Sequence, residues 1–336
     1  MESEHLKQFV EAVGSEIMII QAKKNNSNKN KMVDITHKIN TLRTATAQAT
    51  LTVSKVETIE ALQKNRVPKG NVFEMAKTAG LFAVKNTHTC IPDCHPLPIE
   101  YTAVDYKIEG LNIFIAINIK TIYKTGVEVE AMHGASVIAL TMYDMLKPID
   151  KGIEINNVKL LNKKGGKSSF RDQNPSRLSA HIIVCSDSIS EGKKEDKAGK
   201  AIMENLQSHD VQIQGYEIIP DDLQTIRNKA MELSDTVNLL IYTGGTGLSI
   251  RDVTPEALEP ILERRIPGVE EAIRKYGQDR MPYAMLSRSV AGTLGNCLIL
   301  ALPGSTNGAK ESMNAVFPHL LHVFKILRGA QHDKNE

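Results

Sequence analysis

The sequence predicts two fold classes in one chain: an α+β sandwich in the first half and a mostly parallel α/β sheet, covered on both faces, in the second. Three observations carry this. The 336 residues exceed one small core and correspond to two domains at about 100 to 200 residues each. Polar-apolar alternation in "YTAVDYKIEGLNIFIAINIKTIYK" (101–124) marks half-buried antiparallel strands. Beyond residue 178, short apolar or β-branched runs alternate with helical patterns, which implies parallel strands joined by crossover helices.

Taken in order, residues 5–21 place Leu6, Phe9, Val10, Val13 and Ile17 at helical spacing, and "KKNNSNKNK" (23–31) has nothing to bury. Residues 1–31 thus read as a leader helix and flexible tether. The first domain spans 32–169, where "NVFEMAKTAGLFAVKNT" and "VEVEAMHGASVIALTMYDMLK" read as helices packed on the alternating strands. A polar stretch containing Pro175 supplies a linker at 170–177. The second domain, 178–332, carries strands in "AHIIVCS", "VQIQGYEII", "NLLIYTGG" and "CLILALPG". Its helices lie in "KAIMENLQ", "LQTIRNKAMELS" and "KESMNAVFPHLLHVFKIL".

Composition excludes some partners. With 41 basic and 39 acidic side chains the formal charge is +2, so no broad field draws the chain to nucleic acid or membrane, and any anion must be held locally. The opening "MESEHLKQFVEAVGSEIMII" has acidic residues where a signal peptide needs positive charge, and its apolar run is too short to span a bilayer. Four cysteines form no disulfide framework. A cytoplasmic location is the expectation.

In parallel sheets, ligands bind beyond the carboxyl ends of the strands. "CSDSISEGKKEDKAG", "PDD" (220–222) and "TGGTGLSIRDVTPEA" (243–257) all occupy such ends. The glycines of the last run let backbone N–H groups approach an anion, although a plain tight turn reads equally well from that motif alone. Thr254 is expected to cap a helix with Pro255 at its first position. Asp221 and Asp252, at neighbouring strand ends, could share a divalent ion between phosphates, or serve as solvated loop charges or caps.

The first half offers three constellations. "NKKGGKSS" (162–169) fails as a P-loop, because the position requiring the first glycine is Leu161. "HTCIPDCHPL" (88–97) could be a metal site, a structural loop or a substrate loop; no second half-site matches it as a zinc motif. Asp144 and Lys147, three apart on a helix, share a face where the carboxylate can orient the ammonium, or form only a solvated ion pair. Glu130 lies fourteen residues earlier, about 21 Å along the axis. It is therefore a structural partner, or the site draws on more than one subunit.

Two resemblances assemble these pieces. "MVDIT", "PKGNVFEMAKTAG", "IPDCHPL", "TGVEVEA", "ALTMYDMLK" and "LLNKKGGKS" resemble the MoaC family, the cyclic pyranopterin monophosphate synthases, from residue 32 to about 169. That resemblance implies a ferredoxin-like α+β fold, a hexamer with active sites at dimer interfaces, and conversion of cyclised dihydro-GTP into cyclic pyranopterin monophosphate with release of pyrophosphate. It implies Lys69 and Lys147 as catalytic lysines and Asp144 as the acid-base or lysine-orienting carboxylate. Substrate-side positions are Arg43, Asp93, Cys94, His95, Lys124, Val129, Glu130 and Lys167. His95 and Glu130 would hold the pterin and ribose, while Arg43, Lys124 and Lys167 would contact phosphate. The chain departs from the family pattern at Asn71, Asp93 and Val129, and Asp93 adds negative charge near a polyanionic substrate.

The second resemblance covers residues 178 to 332: "SDS…EDKAG", "IPDD", "TGGTGLSIRDVTPEA" and "LPGS" look like the MoaB/MogA family of molybdenum cofactor biosynthesis. It implies a three-layer αβα fold and transfer of AMP from Mg-ATP to molybdopterin. Asp221 and Asp252 match the essential acidic positions, which would hold magnesium through the nucleotide. Ser186, Asp187, Gly244, Gly245 and Gly247 match the nucleotide and pterin loops. No tightly bound cofactor is implied for the first half. The alternative for the second half is a non-catalytic pterin-binding or oligomerisation module.

Overall fold

A computed structural model describes residues 32–166, 169 and 177–329. The expected leader helix, most of the linker, and Lys167 lie outside the described residues.

The first sheet opens with β1 (Thr41–Thr52), followed by α1 (Val56–Gln63), α2 (Val72–Lys85) and the short α3 (Thr87–Cys90). Strands β2 (Tyr101–Glu109) and β3 (Asn112–Tyr123), helix α4 (Glu128–Leu146) and strand β4 (Glu154–Lys164) complete it. The strand order is β2-β3-β1-β4, and each adjacent pair is antiparallel. Ile113, Ile115, Ile117 and Ile119 alternate with more exposed residues along β3 and are fully buried, as expected for a sheet with one covered face. On β1 the buried apolar positions are Ala45, Ala47, Ala49 and Leu51; small side chains there let α4 lie close against the strand. A Cβ on Gly80 of α2 would lie 2.3 Å from Ile138 Cγ1 on α4, so only glycine permits this helix crossing.

Asn71, one of the departures from the family pattern, accepts a hydrogen bond from Glu74 N (3.2 Å) as the N-cap of α2. Asparagine caps a helix about as well as aspartate, which gives the substitution a local rationale.

The second sheet begins with β5 (Ser179–Cys185), α5 (Asp187–Ser190), α6 (Ala198–Gln207), β6 (Gln212–Ile219), α7 (Leu223–Leu233) and β7 (Leu239–Thr243). It continues through α8 (Thr254–Leu258), β8 (Arg264–Arg265), α9 (Pro267–Gln278), β9 (Val290–Leu294), β10 (Cys297–Leu302), α10 (Thr306–Val316) and α11 (Val323–Leu327). Its order is β6-β5-β7-β10-β9-β8, with β6, β5, β7 and β10 parallel and β9 and β8 antiparallel at one edge. Alternate residues of each strand enter two cores: Ile182, Ile241 and Leu300 on one face, Ile183, Tyr242 and Ile299 on the other. Burial on both faces explains the continuous apolar runs.

Two local expectations are corrected. The pattern at 310–327 predicts one helix, but α10 stops at Val316 and Phe317 is extended, with a 3-10 turn at His319–His322 before α11. Pro318 lacks an N–H and disfavours helical geometry at the residue before it. Thr254 is not the cap of α8 but its first residue, with Val253 as cap, and its hydroxyl donates to Gly244 O (3.0 Å). That bond ties the helix to the glycine loop.

The described residues from Asp34 onward form one compact unit. A strap ahead of β1 joins the two sheets: Arg280 stacks on Tyr276 (3.4 Å) and donates to Thr36 O (2.5 Å), Tyr276 Oη donates to His37 O (2.6 Å), and Ile39 packs against the second core. Among the described residues no helix is long and apolar enough to cross a membrane.

Candidate active sites

Asp144 stands near the carboxyl end of α4 and joins two lysines. Lys147, one turn on, reaches its Oδ1 at 2.7 Å, while Lys69, from the loop before α2, reaches its Oδ2 at 2.7 Å and its carbonyl at 2.8 Å. Hydrogen bonds from Lys147 and Lys69 hold the Asp144 carboxyl at about 2, and the same contact raises Lys147. Asp144 is thus a permanent anion that orients two ammonium groups. All three side chains are substantially exposed, which suits a site that receives an anionic ligand.

Glu130 sits near the opposite end of the same helix and is buried (3% exposed). Burial raises its carboxyl, and the Cys94 thiol donates to its Oε1 at 2.9 Å. Burial, with Glu130 beside it, pushes the thiol up to about 12, so Cys94 stays a neutral donor. The "HTCIPDCHPL" loop thereby docks on α4 through Cys94, with His95 half-buried next to it and Asp93 exposed. Val129 is also exposed, at 45%. Among the described residues no group of three or more His, Cys, Asp or Glu side chains could hold a metal ion.

Arg43, on β1, is buried and donates from Nε to Tyr123 O (3.2 Å) and from Nη2 to Lys124 O (3.3 Å). It therefore fixes the end of β3, where Lys124 is half-buried. Arg43 and Lys124 lie toward the Glu130 end of α4, as the charge coupling of Arg43 with Glu128 indicates. The Lys69–Asp144–Lys147 cluster and the Glu130 cluster are separated by the length of that helix. One chain does not bring them together.

In the second sheet, the loops after β5, β6, β7 and β10 emerge side by side, and the chain path diverges between β5 and β7, the usual ligand crevice of such a sheet. Asp187 N donates to Asp221 Oδ2 (3.2 Å), and Asp221 N donates to Asp187 Oδ1 (3.1 Å), a reciprocal clasp across two strand ends. Gly244 and Gly245 have φ of +105° and +63°; a Cβ on Gly244 would strike Cys185 O at 2.1 Å, and one on Gly245 would lie 3.1 Å from Asp221 Oδ1. Both glycines are required by conformation and by space. Asp252 Oδ2 accepts from Ser249 N (2.9 Å) within the same loop, and a Cβ on Gly247 would meet that oxygen at 2.8 Å. The Ser186 hydroxyl pairs with that of Ser188 at 3.2 Å.

Asp221 Oδ1 is buried without a hydrogen-bond partner, and burial, with Asp252 as the nearby like charge, raises the Asp221 carboxyl. Such an oxygen asks for a cation. Two carboxylates make an incomplete protein shell but suit magnesium, which takes its remaining oxygens from water and phosphate.

Two arginines escaped the sequence reading. Arg251 pairs with Asp187, and Arg288 donates to Gly247 O (2.8 Å) and Asp252 O (2.7 Å), bracing the loop from the next layer. Arg251 lies inside the quoted motif and could have been singled out; Arg288 acts on backbone carbonyls 36 and 41 residues away, and no spacing announces that.

The fold and the two clusters define a class: a two-domain protein with an antiparallel lysine-carboxylate domain followed by a parallel α/β domain with a glycine-aspartate crevice. The MoaC family model matches residues 32–166, and the model described as "Probable molybdopterin binding domain" matches 181–322. A curated relative from Chlorobaculum tepidum, named as a molybdenum cofactor biosynthesis bifunctional protein, is 38% identical over 90% of this chain and 96% of its own. A Clostridium perfringens cyclic pyranopterin monophosphate synthase is 44% identical over 41% of this chain and 87% of its own. A crystal structure of MoaB from Thermus thermophilus is 38% identical, covers 46% of this chain and 99% of that one, and has a TM-score of 0.43. The chain belongs to the family of bifunctional molybdenum cofactor biosynthesis proteins, and both resemblances noted in the sequence are borne out.

Proposed function

We propose that the two halves, bounded at 32–169 and 178–332, catalyse two separate steps of molybdenum cofactor biosynthesis. The first converts cyclised dihydro-GTP into cyclic pyranopterin monophosphate and pyrophosphate. The observation that carries this reading is Asp144 held between Lys69 and Lys147 at 2.7 Å each. Closing a cyclic monophosphate requires a substrate hydroxyl to lose its proton to solvent and bond to the α-phosphorus while the bond to pyrophosphate breaks and the electron pair leaves with it. Two ammonium groups stabilise the charge that develops and can donate a proton to the leaving group. A carboxyl held at about 2 is a weak base, so Asp144 acts by orienting the lysines rather than by taking a proton.

The N-terminal strand order and the two helices covering one face support a ferredoxin-like fold. The separation of Glu130 from Asp144 along one helix supports a site shared between subunits, with Glu130, Cys94 and His95 of one copy holding the pterin end opposite the lysines of another. We take the assembly to be a hexamer working in the cytoplasm. Arg43, Lys124 and Lys167 are assigned to the phosphates, and Asp93 and Val129 to the rim of the pterin pocket.

The second half binds molybdopterin and transfers AMP to it from ATP: a phosphate oxygen of molybdopterin bonds to the α-phosphorus of ATP, and pyrophosphate departs. Asp221 and Asp252 would hold magnesium, which supplies a Lewis acid for the phosphate oxygens. Gly244, Gly245 and Gly247 give the loop its close backbone approach, and Ser186 and Asp187 line the facing strand end. The orphaned Asp221 oxygen carries this assignment.

The test supplies the purified chain with molybdopterin and Mg-ATP beside an Asp252→Ala variant. Adenylylated molybdopterin from the parent alone is the expected result. No product from folded parent protein would make the second half a binding or assembly module.

A further inference from the structure

The loop that carries Asp252 has no anchor in the hydrophobic core. Leu248 and Ile250 are 69% and 97% exposed, and Ser249 and Arg251 are exposed as well. The path from Gly247 to Asp252 is therefore set by hydrogen bonds rather than by packing. Those within the loop are short-range: Asp252 N donates to Ser249 O (2.9 Å), and Ser249 N donates to Asp252 Oδ2 (2.9 Å). Asp221 is held differently, just beyond the end of β6 and clasped to Asp187.

One side chain spans both ends of the loop. The half-buried Arg288 guanidinium donates from Nε to Gly247 O (2.8 Å) and from Nη2 to Asp252 O (2.7 Å), while its Nη1 pairs with Glu256 on α8. Its own backbone is fixed, because Arg288 N donates to Thr246 O (3.0 Å) and the next two residues, Ser289 and Val290, are buried where β9 begins. We propose, resting on the reading of Asp221 and Asp252 as the magnesium-holding pair, that Arg288 is the positioning residue for Asp252: it sets the spacing of the two carboxylates and with it their affinity for a divalent cation. Charge alone would make Arg288 act the other way, since a cation beside an acidic pair repels an incoming metal ion. Its planar fork of donors, which a single ammonium cannot reproduce, is what holds two carbonyls at once.

The test is titration of the full chain with Mn2+ alone, read from the electron paramagnetic resonance signal of the free ion, with Asp221→Ala defining the binding that belongs to this site. Arg288→Lys keeps the charge but cannot bridge Gly247 O and Asp252 O, and it is expected to weaken Mn2+ binding about tenfold, as when a group that orients a metal ligand is lost. Arg288→Gln, which also removes the charge, is expected to weaken it too. Glu256→Gln, which loosens one arm of Arg288 and leaves the loop contacts in place, is expected to give a smaller loss and keeps the test open should the arginine variants unfold. Thermal melts establish which variants are folded. Tighter Mn2+ binding in Arg288→Gln with no change in Arg288→Lys would mean that charge alone acts, and would overturn the proposal. Unchanged affinity in every folded variant, or no Asp221-dependent binding in the parent, would overturn it as well. Adenylylation of molybdopterin on the same preparations should need about tenfold more magnesium for half-maximal rate in Arg288→Lys, with the maximal rate recovered at saturation. Mn2+ binding that depends on Arg288 in a parent without turnover would sink the adenylyltransferase reading alone; turnover with unaltered Mn2+ affinity in the variants would sink the role of Arg288 alone.

Discussion

Asp144 gains its character from two contacts of different origin. The pairing with Lys147 is local, one helical turn, and could be read from spacing; the pairing with Lys69 bridges 75 positions and was legible only through resemblance. Asp144→Asn should lower pyrophosphate release about 100-fold or more, in the range expected when a group that orients proton donors is lost. The same change removes the contact that raises Lys147, so the alkaline limb of the pH-rate profile should move to lower pH. A limb that stays in place would mean that Lys147 does not govern it.

At the other end of the helix the sign is reversed. Burial raises the Glu130 carboxyl, so the fold disfavours its ionised form, and stability falls as pH rises from the ordinary glutamate range through the raised value. Glu130→Gln keeps a carbonyl for the Cys94 thiol and removes that titration. Thermal melts should show the variant gaining on the parent as pH rises above the ordinary glutamate range; a difference independent of pH would contradict this.

Among the elements, legibility followed chemistry. The isoleucine alternation of β3 announced a half-buried strand, whereas β1 hid the same geometry behind alanine and threonine, whose contrast in hydrophobicity is slight. Strand β4, with lysines and asparagines and little burial, showed only as a basic run. The crossing of α2 and α4 could not be seen at all, because a glycine inside a helical pattern does not say what it touches. Gly80→Val would drive methyl groups into Ile138, and overpacking of this kind costs about 1 to 3 kcal/mol. The lowered urea midpoint of the variant, at unchanged slope, is the measurement; a midpoint equal to that of the parent would mean the helices separate freely.

For the whole molecule, the decisive relation is between two sites on separate cores. The lysine-carboxylate cluster rests on the first sheet, the glycine-aspartate crevice on the second, and among the described residues no hydrophobic cluster of buried residues spans both; the strap at 36–39 joins them chiefly through backbone carbonyls and Ile39. Point changes deep in one site should then leave the other chemically intact, since effects at distant positions without shared partners are close to additive. Lys69→Ala should abolish pyrophosphate release from cyclised dihydro-GTP while adenylylation of molybdopterin continues at the parent rate. Asp252→Ala should do the reverse. Tethering raises the local concentration of one domain near the other without requiring that a product pass directly between them, so the double variant should lose both activities and show no further defect in folding. If Lys69→Ala instead slowed adenylylation several-fold in a protein with unaltered thermal melts, the strap would have to transmit more than proximity, and the region around Tyr276 and Arg280 would be the place to seek the coupling.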